Sequence, residues 1–332
     1  MRVQTRPALR VGFILANRFT LSAFASFVDV LRLAADEGDS SRPILCRWNV
    51  IAPDMKPIRA SCGILIHPDE KLIDPSQFDY LVVVGGLIEH IERLDPRYVV
   101  YLKTAVSKRV PLIGLCTGSF ILHRAGLMNG YKCCVSWFHR ADFLEQFDGL
   151  EPVSDRIFIV DRDRISCSGG TSTVHLAAHL VGQHVGVKPA RKSLHILMVD
   201  EAFDDNKAQP FLPVSFKTKD NLVQRALLIM QQEVESLRTI EQLCRQLGIG
   251  RRSLEKKFRT SLGKTPGEAL TQIRLEEAKR ILSETDATIT QTALRCGFFD
   301  ASHFNKAFQK HTGRTARVYR DENQSSMSKT LD

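Results

Sequence analysis

The sequence predicts an α/β domain with a parallel sheet, followed by an all-α domain that contains two helix-turn-helix units. Over roughly the first 200 residues, short apolar runs alternate with helical patterns, which is typical of a sheet covered by helices. Beyond them the apolar periodicity is almost wholly helical. The length of 332 residues also exceeds the usual size of a single hydrophobic core.

Five strands and five helices are predicted in the first domain. The strands are at 11–15, 48–51, 80–84, 111–115 and 156–160. The helices lie near 22–35, 97–108, 118–125, 171–185 and 189–201. Continuous apolar strands, such as the one around residues 81–84, indicate that both faces of the sheet are covered.

The domain boundaries follow from changes in composition. A polar segment interrupted by Pro210 and Pro213 disfavours a continuous helix and predicts a linker. The serine-rich end of the chain predicts disorder. We therefore expect a flexible N-terminus at 1–9, an α/β domain at 10–203, a linker at 204–216, an all-α domain at 217–320 and a disordered tail at 321–332.

The composition argues against several classes of protein. Apolar runs fall far short of the roughly 18 residues that a membrane helix needs, and the first residues lack the apolar core of a secretory signal. We therefore expect a cytoplasmic protein that does not enter a membrane. The eight cysteines show no metal-binding spacing, so no metal or cofactor is expected. Cys133 and Cys134 are interpreted as ordinary buried thiols, with a soft-metal or redox site as the alternative.

The positive charge is concentrated in one segment. Residues 216–320 hold 20 Lys and Arg against 11 Asp and Glu, a surplus of +9. Residues 1–215 hold 25 against 23, and residues 321–332 hold 1 against 3. Such a concentration is typical of a surface that binds phosphates, and the alternative is a basic domain without that role.

A repeated pattern lies in this basic segment. The stretches that begin at Thr239 and Thr288, 49 residues apart, both read Thr-x-x-Gln, the pattern of a capping box. Each continues as an amphipathic stripe and ends at a glycine, Gly248 or Gly297, which can adopt the left-handed conformation that ends a helix. Each unit is thus expected to be a helix, a sharp turn and a second helix.

The second helices are predicted at about 251–259 and 301–310, with polar outer faces that could enter the major groove of double-stranded DNA. Arg and Lys can bond guanine edges and Asn can bond adenine, over two groove segments about 34 Å apart. A helical bundle that does not touch DNA is the alternative. The predicted DNA-contacting residues are Arg251, Arg252, Glu255, Lys256, Arg259, Ser302, His303, Asn305, Lys306 and Gln309.

Residues 218–320 resemble the AraC/XylS family of transcription regulators. The resemblance rests on the repeated units, on residues 274–282, which look like the family's linking helix, and on a C-terminal signature. That signature is carried by Gly297-Phe298, His303-Phe304, Phe308, Gly313 and Tyr319-Arg320. Two positions differ from the family pattern, Ala316 in place of proline and Gly250 in place of a capping serine.

A second motif lies in the α/β domain. Residues 111–119 read as a strand, a sharp turn at Cys116 and a helix, which resembles a nucleophile elbow. The start of a helix favours the thiolate form of a cysteine. Gly85 and Gly86 follow another strand and could offer backbone N–H groups to a ligand, and residues 168–172 open a further helix in a similar way.

These features resemble the DJ-1/PfpI, or class I glutamine amidotransferase-like, fold over residues 10–200. Together with the basic domain they look like the GlxA-type subgroup of AraC regulators. The resemblance implies a flavodoxin-like parallel sheet, a homodimer, RNA polymerase as a partner, and a non-catalytic domain that senses a small-molecule effector, often an amino acid or quaternary amine. The predicted ligand-binding residues are Gly85, Gly86, Cys116, Thr117, Trp137, His139, Arg140, Gly170 and Thr171.

The aromatic stretch at Trp137 suits such a ligand, since an aromatic face attracts a quaternary ammonium and Arg140 can bind a carboxylate. Trp137 as an ordinary core residue is the other interpretation.

A Cys116-dependent hydrolase or amidotransferase is the competing hypothesis. Thr117 stands where PfpI-type proteases have histidine, and residues 17–19 hold no acid after the first strand. The sequence alone does not bring a base to Cys116, so we expect no catalysis. The candidate bases are His90, His123, His139 and His175.

Overall fold

The computed structural model describes residues 7–38, 40–91, 94–210, 216–237 and 239–328. Its contacts divide the chain into two compact units, Met1–Gln209 and Pro210–Asp332. Within the described ranges no helix has the length and apolar character that crossing a membrane requires.

The first unit is built on a seven-stranded sheet in the order β5-β2-β1-β6-β7-β9-β8, in which all neighbouring strands are parallel except β8 and β9. Strands β3 and β4 form a separate two-stranded sheet. The strands are β1 Leu9–Leu15, β2 Cys46–Ala52, β3 Ile58–Arg59, β4 Leu65–Ile66, β5 Glu70–Lys71, β6 Tyr80–Val84, β7 Leu112–Leu115, β8 Phe158–Asp161 and β9 Arg164–Cys167.

Helices cover both faces of this sheet, as the apolar strands predict. In β6, Val82 and Val84 pack into one core, whereas Leu81 and Val83 pack into the other. Because successive side chains of a strand point to opposite faces, an all-apolar strand requires two cores. The helices of this unit are α1 Leu21–Ala34, α2 Ile88–Ile91, α3 Pro96–Ser107, α4 Gly118–Arg124, α5 Arg140–Gln146, α6 Ser172–His184 and α7 Val187–Ile196.

Strand β9 is absent from the sequence prediction, although it lies between β7 and β8 in the sheet. Its polar residues Arg164 and Ser166 are buried, so the stretch has no apolar run. Arg164 is satisfied by an ion pair with Asp163 (2.8 Å) and by donating to the Leu127 carbonyl (2.7 Å). The strand predicted at 156–160 begins later, and the helix predicted at 189–201 is α7 and ends at Ile196.

The adjacent cysteines at 133 and 134 are both buried. Burial raises the pKa of the Cys133 thiol to about 12 and also raises that of Cys134. These thiols therefore stay protonated, which favours their interpretation as ordinary core residues.

The first part of the predicted linker packs on the α/β unit. Ala208 forms a bridge with Arg156, and the buried Gln209 donates to the carbonyls of Val135 (3.0 Å) and Arg156 (2.6 Å). Residues 204–209 are thus part of the first unit, which corrects the linker start at 204. The linker residues 211–215 and the N-terminal residues 1–6 lie outside the described residues.

The second unit is wholly helical in its described residues. Its long central helix, α11, contributes Ala269, Leu270 and Ile273 to one core and Leu275, Ala278, Ile281 and Leu282 to another. The helices are α8 Asn221–Gln232, α9 Ile240–Leu247, α10 Arg251–Leu262, α11 Pro266–Glu284, α12 Ile289–Arg295, α13 Ala301–Thr312 and α14 Ala316–Ser328. Each core therefore holds one helix-turn-helix unit.

Local signals explain where α11 begins and how it is anchored. Thr265 and Glu268 form a reciprocal capping box around Pro266 at the first turn. Further along, the Arg274 guanidinium donates to the Leu237 carbonyl (2.7 Å) and lies over the Phe298 ring, 5.9 Å from its centroid. Arg274 thus connects the loop that follows α8 to the second helix-turn-helix unit.

Helix α14 changes the prediction for the end of the chain. It continues to Ser328, so residues 321–328 are helical, whereas the sequence predicted a disordered tail from 321. At its start, Ala316 is fully buried, and the Thr315 hydroxyl accepts from the Val318 N–H (3.3 Å). The helix therefore has a side-chain cap without the family's proline.

We predict that Gly297→Ala destabilises the second unit more than Gly248→Ala does. Both glycines have a positive φ, 72° and 66°, which costs an alanine about 1–2 kcal/mol. A Cβ at Gly297 would also lie 2.4 Å from the Val234 carbonyl oxygen, whereas Gly248 has open space. Urea unfolding followed by far-UV circular dichroism should show an additional loss of about 1–3 kcal/mol for Gly297→Ala. Equal losses would contradict this packing.

Candidate functional site

Both predicted helix-turn-helix units are present. The Thr239 hydroxyl accepts from the Gln242 N–H (3.1 Å), and Thr288 and Gln291 form a full capping box. The glycines after α9 and α12 have the left-handed backbone that the sequence predicted. The turn therefore leads directly into α10 in the first unit and α13 in the second.

Helix α10 buries Leu254 and Phe258 and turns a basic face outward. Arg251 forms ion pairs with Glu241 and Glu255, so two of the predicted DNA-contacting side chains already neutralise each other. The other three are exposed and have no ion pair or hydrogen bond with any described side chain: Arg252, Lys256 and Arg259.

Helix α13 repeats this arrangement. Phe304 and Phe308 are buried, Asn305 is half-buried, and the other predicted contacts are exposed. The His303 ring packs on Phe298, with 5.6 Å between the ring centroids. The remaining side chains make no hydrogen bond with another described side chain, so their polar groups are open to solvent. These residues are Ser302, Asn305, Lys306 and Gln309. Both helices thus offer hydrogen-bonding groups that a base edge could use.

The predicted sharp turn at Cys116 is also present. Cys116 has a φ of 55°, a strained value for a residue with a side chain, and its N–H donates to the Cys167 carbonyl (3.0 Å). Its thiol lies 3.5 Å from the Thr20 hydroxyl. The arrangement places a partly exposed thiol between a strand and the start of α4, as in a nucleophile elbow.

Close packing explains the two glycines next to the elbow. A Cβ at Gly86 would lie 1.8 Å from the Arg18 carbonyl oxygen, and one at Gly85 would lie 2.2 Å from the Gly118 nitrogen. The Gly85 N–H donates to the Leu115 carbonyl, and the buried Thr117 hydroxyl donates to the Gly86 carbonyl (2.8 Å). These groups hold the turn together, which corrects the expectation that the Gly85 N–H faces a ligand.

The other predicted ligand residues reach the surface. Thr171 is exposed, and Cys116 and Gly170 are half-buried. Trp137, His139 and Arg140 are half-buried and lie at the start of α5, where the His139 ring contacts Phe120 of α4 (6.5 Å between centroids).

Three of the four candidate bases, His123, His139 and His175, contact other groups, and His90 lines a separate cavity. His123 is buried and packs on Phe143, His139 contacts Asp142 (2.9 Å), and the Phe203 N–H donates to His175 (3.2 Å). Burial lowers the pKa of His123 to about 4. Within the described ranges no histidine hydrogen-bonds to the Cys116 thiol, so the elbow has no activating base at hydrogen-bond distance.

A cavity of about 240 Å³ opens at the carboxyl ends of β1 and β2, and the sequence analysis did not predict it. Its lining includes Asp54 and Arg97, which form an ion pair (3.6 Å), and Arg97 also pairs with Asp95. The other polar residues of the wall are Asn17, Lys56, His90 and Tyr98. The sequence carried no signal for this cavity because its wall comes from strands, loops and helices that only the fold brings together.

Comparisons with known proteins identify the family. The profile of the DJ-1/PfpI family matches residues 10–183, and that of a helix-turn-helix domain matches residues 243–322. The HTH-type transcriptional regulator GbdR of Pseudomonas aeruginosa is 30% identical over 313 residues, which are 93% of this chain and 83% of GbdR. The chain belongs to the AraC family of transcriptional regulators that carry an N-terminal DJ-1/PfpI domain.

One further likeness agrees with this family and another with the fold. The HTH-type transcriptional regulator GlxA of Rhizobium meliloti is 25% identical over 94% of this chain and 95% of its own length. A crystal structure of a THiJ/PfpI family protein from Pseudomonas syringae matches 68% of this chain and 86% of that chain, with a TM-score of 0.50 and 19% identity. The predicted resemblance and fold class of this AraC-family regulator are thus confirmed.

We predict that His123 makes the first unit less stable in acid. Its native pKa of about 4 lies below its usual value of 6.5, so the unfolded chain binds more protons between these pH values. Above pH 6.5 the His123 ring is neutral in both states and does not lower the free energy of unfolding. Below that pH the free energy of unfolding falls as the pH drops towards 4, by up to about 3 kcal/mol.

Tryptophan fluorescence reports this loss selectively, because Trp48 and Trp137 both lie in the first unit. His123→Leu should flatten the dependence of urea unfolding on pH, whereas the exposed His67→Leu should not. If the free energy of unfolding of His123→Leu depended on pH as steeply as that of wild type, another group would be responsible for the loss in acid.

Proposed function

We propose that this regulator is a cytoplasmic homodimer that binds double-stranded DNA sequence-specifically through α10 and α13, and that a small molecule held by its first unit controls this binding. The observation that carries the proposal is the pair of matched polar faces, each held on its own core and both cores sharing α11. RNA polymerase is the partner through which such a regulator would act on transcription.

The DNA-binding part rests on charge and on shape. Arg252, Lys256 and Arg259 give α10 an exposed cationic face, and Lys306 does the same on α13. Cationic side chains neutralise phosphates, while Arg and Asn can make paired hydrogen bonds with guanine and adenine. The Arg251 ion pairs would have to exchange for DNA contacts, so we assign Arg251 a smaller share of the recognition.

The effector-binding part rests on the edge of the sheet where the parallel strands end, which is where open α/β sheets bind ligands. Two groups of partly or fully exposed residues lie on this unit, Cys116 with Gly170 and Thr171, and Trp137 with Arg140. An aromatic face and a guanidinium together suit a molecule that carries both a quaternary ammonium and a carboxylate. We therefore propose an amino acid or betaine as effector.

The same geometry argues against catalysis. A thiol nucleophile needs a base, and the hydrogen-bond partner of the Cys116 thiol among the described side chains is the Thr20 hydroxyl. We propose that Cys116 and its strained turn shape the floor of the effector site. Turnover of an amide, peptide or aldehyde that Cys116→Ser abolishes would support the enzyme hypothesis instead.

We expect Arg252→Ala and Asn305→Ala each to relax base preference in a different part of the DNA site. Each lost bidentate contact should cost about 1–3 kcal/mol on the preferred sequence. The measurement is the binding of duplexes selected from a random library, compared with unselected duplexes. The exposed Lys103→Ala in the first unit is the control. Equal weakening on both kinds of duplex would mean that the residue contacts only phosphates.

We expect an amino acid or betaine to raise the melting temperature of the full chain, because a ligand that binds the folded state stabilises it. Trp137→Ala should weaken binding by about 0.5–2 kcal/mol, the usual strength of a cation–π contact. The exposed Val187→Ala should leave it unchanged. If no compound of either class stabilises the protein, the proposed effector class is wrong.

A further inference from the structure

The two helix-turn-helix units differ by one residue in the turn. Thr239 and Thr288 are 49 positions apart, and so are Gly248 and Gly297. The core residues of the following helices are 50 apart, as in Leu254 and Phe304. The second turn therefore contains an additional residue between the glycine and the start of α13.

That additional residue places Phe299 directly before Asp300, the N-cap of α13. The Phe299 side chain is 90% exposed, whereas Phe298 next to it is 2% exposed. Such an exposure leaves a whole aromatic ring in water, which is an unfavourable position unless a partner covers it.

The usual structural reason for an apolar residue at this position does not apply. An apolar side chain just before an N-cap commonly packs on the fourth residue of the helix, as a hydrophobic staple. In α13 that fourth residue is Phe304, which is fully buried and packs on Phe298 with 5.2 Å between the rings. Phe299 therefore does not take part in the packing that fixes the entry of the chain into α13.

Resting on the proposed DNA-binding function, we propose that Phe299 enters the major groove beside α13 and packs on the 5-methyl group of a thymine. The first residues of a recognition helix and the turn before it come closest to the base edges. The methyl group of thymine is the apolar feature of that groove, and phenylalanine is one of the side chains that contact it. Phe299 would thus read an A·T pair at the edge of the segment contacted by α13.

The surroundings of Phe299 favour DNA over a protein partner. Asp300 is exposed directly after the ring, and its carboxylate accepts from the His303 N–H (2.7 Å) as the cap of α13. The next exposed side chains along α13 are Ser302, His303 and Lys306, and Arg295 is exposed at the end of α12. Polar and basic groups around one ring match a groove lined by phosphates, base edges and methyl groups. A protein-docking surface needs a contiguous apolar patch of several hundred square ångströms, and a single ring among polar neighbours is smaller than this.

The test uses the full chain. Wild type, Phe299→Ala and the control Leu294→Ala, another exposed apolar residue of this unit, each select duplexes from a random library. In the duplex selected by wild type, each thymine is then replaced in turn by deoxyuridine, which lacks only the methyl group.

For wild type and for Leu294→Ala, one deoxyuridine replacement should weaken binding about three- to fivefold, the effect of one buried methyl group. Phe299→Ala should bind the unmodified duplex about three- to fivefold more weakly than wild type does. Its affinity should not change when the same thymine is replaced by deoxyuridine. Because Phe299 is exposed, the thermal melting of Phe299→Ala should match that of wild type.

Two results would overturn the inference while leaving the proposed function intact. In the first, wild type selects a defined sequence, but no deoxyuridine replacement changes its affinity. In the second, Phe299→Ala selects and binds the same sequence with the same affinity as wild type. A wild-type chain that selects no sequence at all would instead overturn the proposed DNA-binding function.

Discussion

The two cores of the second unit share one helix, and this constraint determines what the unit can recognise. The first half of α11 is buried with α8–α10 and the second half with α12–α14. A helix of 19 residues is about 28 Å long. Because neither half can shift without unpacking its core, α10 and α13 stay at a fixed separation, which Arg274 reinforces through the Leu237 carbonyl and the Phe298 ring. Two rigidly spaced helices suit two neighbouring major-groove segments of one duplex, about 34 Å apart.

In the first unit the corresponding constraint is close backbone packing at the strand ends. Gly85, Gly86 and Gly118 bring the loops at the strand ends so close that a single methyl group would clash with a backbone atom. This packing holds Cys116 in its strained conformation at the edge of the sheet, where ligands bind in open α/β folds. No described histidine hydrogen-bonds to its thiol, and the proposed role of this turn is to shape the floor of the effector site.

Most of the architecture could be predicted from the sequence, because its signals are local. Capping threonines and turn glycines marked both helix-turn-helix units, and the apolar run of β6 marked a sheet with two covered faces. Strand β9 was missed because Arg164 and Ser166 are buried polar residues whose partners lie elsewhere in the chain. The exposure of Phe299 and the cavity beside Asp54 depend on tertiary packing, which periodicity does not encode. For the same reason the Gly85 N–H was wrongly predicted to donate to a ligand. Its actual acceptor is the carbonyl of Leu115, which lies on another strand.

Changing the spacing of the DNA site tests the rigid pairing of α10 and α13 most directly. In a duplex selected by the full chain, one to five base pairs would be inserted between the two contacted segments, and the affinity of each duplex would be measured. Each added base pair increases the distance between the two segments by about 3.4 Å and rotates one segment about the DNA axis relative to the other. Because α11 is shared by two cores, the separation of α10 and α13 cannot adjust to this change. We predict that affinity falls to the level of unselected DNA within the first few insertions. Affinity retained across all of them would contradict it and would mean that the two units bind DNA independently.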